Sequence, residues 1–197
     1  MAAKKKAAKK NAARKKAAKK GASPRRSLAA GAWRKLDFDM QDQEQTKWCW
    51  AAVATSVALF YDPQTPWTQC TVANGQLHRN DCCGNGAAGP CNQYSFLASA
   101  LELVGCLDSW DVNNSATFDE VRTEIDNQRA LCFRVRWNGG GAHFATIVGY
   151  LAAGGPAGNL IWAEDSLFGR SQIAFDRFPA DYPNGGGDWT DTYYTAG

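Results

Sequence analysis

The sequence predicts an α+β domain of two layers, and three observations predict it. Apolar residues recur at helical spacing in the first half of the chain. From residue 131 the period changes to alternation of apolar and polar residues. The alternating segments are separated by Gly-rich turns, and helices followed by strands are the pattern of an α+β domain.

Each element has its own justification. CWAAVATSVALFY, from Cys49, reads as a buried helix, and Pro63 and Pro66 prevent its continuation. NQYSFLASALELVG (92–105) reads as a second helix. TFDEVRTEIDNQR reads as a third, opened by the capping-box pair Thr117 and Glu120. Residues 67–92, rich in Cys, Gly and Asn, are expected to form an ordered, loop-rich insert. LCFRVRW, HFATIVGYL, NLIWAEDS and SQIAFDRF read as strands.

These elements belong to residues 33–197, a length suited to one domain. Hydrophobic residues make up 45% of the 197-residue chain, enough for a real core. No run approaches the roughly 18 apolar residues that span a bilayer. Residues 1–32 form a separate tail and linker. AAKKKAAKKN is followed directly by the near-repeat AARKKAAKKG, and GASPRRS links it to the body. Like charges four apart disfavour an isolated helix, so residues 1–30 are expected to be disordered alone and able to turn helical on a polyanion. Two readings of the tail stay open: a solvated appendage, or a weak, salt-sensitive contact with nucleic acid or an anionic surface.

Charge divides along the same boundary. Of 22 Lys and Arg, 12 lie in the first 26 residues, leaving 10 against 19 acids in the remainder, a net of −9. An acidic body suggests tolerance for basic substrates, although net charge locates no subsite. The seven cysteines are an odd number, consistent with three disulfides and one free, working thiol. That usage favours an oxidising compartment and hence export or secretion, yet the basic N-terminus has no apolar core of the kind a secretory signal carries.

Chemistry concentrates at a few positions. Cys49 lies between Trp48 and Trp50 at the predicted helix start, where free N–H groups and the helix dipole favour an anion and therefore the nucleophilic thiolate. By position alone it reads more readily as a buried structural thiol. The chain has two histidines, His78 and His143. A cysteine nucleophile needs a base, and His143 opens a predicted strand just after a glycine-rich turn, whereas His78 lies in the Cys-rich insert. Asp165 ends a predicted strand, suited to accept the second ring N–H of His143. Glu164 competes with it but points to the opposite face in a strand. Gln43, six residues before Cys49, offers an amide to a developing oxyanion, and Gln41 and Gln45 flank it as alternatives.

QEQTKWCWAA, GGAHFATIVGY and IWAEDSLFG, in that order, resemble the bacterial papain-like cysteine peptidases. The likeness runs over about residues 38–185. It is nearest the branch that includes plant-pathogen effector proteases, with a more distant likeness to the leader peptidases of peptide exporters. It implies a papain-like fold in which an N-terminal helical layer carrying the Cys packs on a C-terminal antiparallel sheet. It also implies Cys49 as nucleophile, His143 as base, Asp165 as the residue orienting the base, and Gln43, rather than its neighbours, in the oxyanion hole. Two features depart from the family: Ser166 follows Asp165 where an Asp-Pro turn is frequent, and the Lys/Ala tail lies outside the pattern.

The expected activity is that of a cysteine endopeptidase acting on protein or peptide substrates, with no cofactor and no metal required. An amidase, a transferase or an isopeptide deconjugase would use the same thiolate, and a binder acting through the tail would carry an inactive peptidase fold. Within the insert, Cys70, Cys82, Cys83 and Cys91 fit disulfides better than free thiols or zinc, because adjacent cysteines suit the usual zinc spacing poorly. Cys106 and Cys132 would then be the natural remaining pair.

Overall fold

A computed structural model describes residues 33–153 and 158–197; the Lys/Ala tail lies outside the described residues. At its centre is helix α1 (Cys49–Tyr61), in which every residue from Cys49 to Ala58 is buried. A helix that is apolar all round needs cover on every side. Helices α2 (Gln69–Leu77) and α4 (Leu97–Leu103) supply it from the helical layer, and strand β4 (Ala142–Leu151) supplies it from the sheet. Ala51, Ala52, Ala54 and Ala58 keep α1 slim enough for these neighbours. The helix ends where the Asp62 N–H closes on the Ala58 carbonyl at 2.8 Å, immediately before Pro63.

The second layer is one antiparallel sheet. Its strands are β1 (Trp33–Lys35), β2 (Leu107–Val112), β3 (Leu131–Trp137), β4, β5 (Leu160–Asp165), β6 (Gly169–Ala174) and β7 (Gly187–Thr195). The order is β2-β7-β3-β4-β5-β6, and β1 pairs with β4. The first half of β4 pairs with β3, from Arg136↔Ala142 to Leu131↔Ile147. Its far end takes β1, from Lys35↔Gly149 to Trp33↔Leu151. Gly149 makes that approach possible, since a Cβ there would sit 2.7 Å from the Arg34 carbonyl oxygen. Helix α5 (Phe118–Asp126) packs against β4 and β3 and begins with the predicted capping box: Thr117 accepts from the Glu120 N–H, and Glu120 accepts from the Thr117 N–H.

The α+β, papain-like layering is as expected, with local corrections. Half of the insert is helical: Thr68 and Thr71 form a reciprocal cap that starts α2, and Cys82–Asn85 makes a single turn, α3. The second predicted helix begins only at Leu97. Residues 92–96 stay out of it because Asn92 and Gln93 are bonded to the segment before and within α1. The last predicted strand stops at Ala174, and Phe175–Arg177 forms a 3-10 turn. Strands β1, β2 and β7 had not been anticipated.

Disulfides join Cys70 to Cys83 and Cys82 to Cys91, so the adjacent cysteines bond in different directions. Cys106 and Cys132 are not paired; both are buried free thiols, as is Cys49. Strand β7 runs between β2, which Cys106 precedes, and β3, which carries Cys132. The Cys132 sulfur lies 3.5 Å from Thr146 Oγ1, and the Cys106 sulfur points to the Val104 carbonyl. Burial pushes the Cys132 thiol up to about 12.

Candidate active site

Four segments meet at one end of the α1–sheet interface. Cys49 is the first residue of α1 and is preceded by Trp48, which makes no side-chain cap, so the first-turn N–H groups have no side-chain acceptor from it. Trp48 and Trp50 anchor this start. Both are fully buried, and each indole buries roughly 150–250 Å², about 4–6 kcal/mol of gross transfer free energy. Their N–H groups donate to the Cys91 carbonyl at 2.8 Å and the Gln93 carbonyl at 3.0 Å. The Lys47 N–H donates to Asn92 Oδ1 at 3.0 Å, and Asn92 Nδ2 donates to Thr46 Oγ1 at 2.9 Å. The Cys82–Cys91 disulfide thus ends in a segment bonded to both sides of Cys49.

His143 is the second residue of β4, and Asp165 is the last of β5. The two are buried, with His143 Nε2 2.8 Å from Asp165 Oδ1. The ring lines the same cleft as Cys49, and the two interact. Burial pulls the His143 pKa down, but hydrogen bonds to Asp165 and Cys49, with their charge, outweigh it and carry it up to about 9. Burial likewise opposes the Asp165 carboxylate, yet the carboxyl is held below the usual range by His143, Tyr182 and the Leu167 N–H. The Leu167 and Phe168 N–H groups reach Oδ1 at 2.7 and 3.1 Å. Glu164 faces the other way and pairs with Arg170 at 2.6 Å and Lys35 at 3.8 Å.

Of the three glutamines, Gln43 is the one that lines the cleft with Cys49 and His143. Its backbone N–H donates to the Ser166 carbonyl at 3.0 Å, and Ser166 Oγ donates to its Oε1 at 3.3 Å. Those bonds tie the segment before α1 to the turn after Asp165. Nε2 donates one hydrogen to the Gln45 carbonyl at 2.9 Å, and an amide carries a second. Gln41 accepts from Gln69 instead. His78 is exposed in the left-handed cap of α2 and is absent from the cleft lining.

Two neighbours had no signal in the sequence. Tyr182, 17 residues beyond Asp165, donates its hydroxyl proton to Asp165 Oδ2. Trp137 stacks between Tyr182 and His143, with ring centroids 5.8 and 5.9 Å away and planes at 12° and 21°. Neither position follows from spacing, because a turn and a separate strand bring them to the site.

The cleft has a volume of about 840 Å³. One side is formed by Tyr94 and Phe96, 73% and 76% exposed, on the segment leaving the insert, and another by Arg134, Arg136 and Trp137 of β3. Among the described residues, Asp81, Cys82 and Cys91 are the one group of potential metal ligands close together. Both sulfurs are in their disulfide and hold no thiolate for a metal. The site therefore brings a helix-start thiol and a bonded imidazole–carboxylate pair to one open groove.

The chain resembles several solved structures. It covers 87% of its length and 72% of that of digestive procathepsin L 3 from the larval midgut of Tenebrio molitor, at 10% identity and a TM-score of 0.51. A double-glycine motif protease from an AMS/PCAT transporter, solved with its leader peptide, matches at 12% identity and a TM-score of 0.44, covering 83% of this chain and 94% of that one. The Pseudomonas avirulence protein AvrPphB matches at 11% identity and a TM-score of 0.38, covering 82% and 98%. At such identities only fold is at issue, and of these three the procathepsin alone supports it. A search of curated proteins finds no match. The family model described as papain-like cysteine protease AvrRpt2 matches residues 32–182, a span containing Gln43, Cys49, His143 and Asp165. With three quarters of its length matched by that model, the chain belongs to the AvrRpt2 family of papain-like cysteine proteases and is a hydrolase of the cysteine-peptidase type.

Proposed function

We propose that this protein is an endopeptidase working through a Cys49–His143–Asp165 triad and a covalent acyl-enzyme, with residues 33–197 as the peptidase domain. The observation that carries the reading is the His143 ring bonded to Asp165 at 2.8 Å in the cleft that Cys49 also lines. Asp165 fixes the ring with Nε2 as the donor, which directs Nδ1 to the sulfur. His143 takes the Cys49 proton, and the thiolate attacks the peptide carbonyl carbon. The resulting oxyanion accepts from the Cys49 N–H and from the Gln43 amide. The imidazolium passes its proton to the leaving amine, the C–N bond breaks, and a thioester remains on Cys49. Water, deprotonated by His143, attacks the thioester and releases the carboxylic acid, restoring the thiol. An open groove lined on several sides supports an extended chain as substrate.

The test pairs labelling with turnover. A small alkylating reagent is expected to modify Cys49 ahead of the other free thiols, Cys106 and Cys132, at a rate that drops in His143→Ala. Cleavage of a peptide panel, with isopeptide and simple amide substrates as comparison, assigns the bond class. Equal labelling of native protein and His143→Ala, or faster turnover of the isopeptides than of any linear peptide, refutes the proposal.

A further inference from the structure

The β3–β4 side of the cleft carries charge of one sign. Arg134 and Arg136 stand two apart on β3, and their register partners on β4 are Phe144 and Ala142. Cross-strand partners share a face, and all four residues line the cleft. Among the described residues, no Asp or Glu lines it.

The balancing carboxylates belong to the next strand. Asp191 and Asp188 of β7 are the register partners of Arg134 and Arg136. Arg134 Nη1 donates to Thr190 Oγ1 at 2.8 Å and lies 3.6 Å from Asp191 Oδ2. Arg136 Nη2 lies 2.6 Å from Asp188 Oδ2. Asp188 lines a separate, smaller cavity beside Pro179 and Trp189. These bonds steady the guanidiniums through one terminal nitrogen each, and a guanidinium has five N–H donors, so both keep donors for a ligand. The Arg136–Asp188 pair is 62% exposed on each side; such a pair contributes little and yields readily to a better-placed carboxylate. A cleft walled by one sign of charge concentrates ligands of the other sign even on a body of opposite net charge.

We propose that Arg134 and Arg136 select peptide substrates with an acidic side chain near the scissile bond, its carboxylate received between the two guanidiniums. This reverses the expectation drawn from the acidic body as a whole. It rests on the endopeptidase reading, since it names what that groove prefers.

The experiment uses the full chain and a fluorogenic peptide set in which each position on both sides of the scissile bond is varied among Asp, Glu, Asn, Gln and Lys. The expected result is one position at which Asp or Glu exceeds its amide by about tenfold in kcat/KM, the order of a single well-placed charge contact. The ratio narrows as salt is raised. In Arg134→Gln/Arg136→Gln the ratio falls to about one, in Arg136→Gln alone it falls partway, and in Arg134→Glu/Arg136→Glu the preference turns to Lys. Equal cleavage of acid and amide by the native protein at every position overturns the inference while leaving the peptidase reading intact. So does an acid preference that survives in the Gln variants. Failure to cleave any peptide overturns both.

Discussion

Tyr182→Phe removes one hydroxyl and keeps the ring. The stacking on Trp137 and the edge contacts with Phe133 and Phe178 all persist, because they belong to the phenyl group. What is lost is the donor to Asp165 Oδ2. Oδ1 retains His143 and two backbone N–H groups. Asp165 and Tyr182 are each only 2% exposed, so water does not replace the missing donor. Leaving a buried acceptor unsatisfied costs about 1–3 kcal/mol, with charged groups toward the upper end. The pH dependence has a definite sign. Asp165 is held below its ordinary pKa, and Tyr182 is one of the groups holding it there. Stability from that carboxylate is present above the unfolded pKa of about 3.9 and is lost as pH falls through the lower folded value. The destabilisation should therefore be largest near pH 7 and shrink in acid, and acid unfolding of the variant should begin at higher pH. Urea unfolding of both proteins at several pH values measures it. A kcat/KM lower by about tenfold should accompany it, as the His143 ring is less firmly aimed. Coincident unfolding midpoints at pH 7, or a difference that does not change with pH, would refute the reasoning.

Four further outcomes are expected. Cys49→Ala should abolish peptide turnover yet unfold at a denaturant concentration close to that of the native protein; measurable turnover would remove the nucleophile assignment. Asp165→Asn should lower kcat by two orders of magnitude or more, on the scale seen when a triad carboxylate is neutralised, whereas Glu164→Gln, on the opposite face with Arg170 and Lys35, should leave the rate within about twofold; similar losses in a steady-state assay would reject the face assignment. The rate should decline as pH rises through about 9, because the raised His143 pKa keeps the imidazolium available to the leaving amine up to that point; its contribution to stability is complete below about pH 6.5 and lost over the same rise, and a pH–rate profile falling already near 7 would contradict it. Cys82→Ser/Cys91→Ser opens a loop of sequence separation 9; loop-closure entropy gives a loss of about 2.5–3 kcal/mol, read by urea unfolding, with reduced activity because the 91–93 segment no longer fixes Trp48 and Trp50.

What could be read from the sequence was what neighbouring residues decide. The Thr117–Glu120 box sets its helix within one turn, and the step from helical to alternating period locates β3, β4 and β5. Cys49, His143 and Asp165 were legible because each stands at the end of an element whose pattern is local, and motif order did the rest. Failures occurred where distant partners decide. Residues 92–96 lead directly into a helical pattern, yet Asn92 and Gln93 are claimed by residues 43 to 46 positions earlier. The unanticipated β7 bears on two expectations at once. It lies between β2, which Cys106 precedes, and β3, which carries Cys132, and the two thiols stay unpaired. By carrying Asp188 and Asp191 beside Arg136 and Arg134, it steadies those arginines on a wall that, among the described residues, has no acid of its own. A net charge of −9 describes the body as a whole, whereas the cleft is lined by Arg134 and Arg136 and, among the described residues, by no Asp or Glu, because strand register, and not composition, determines which charges line it.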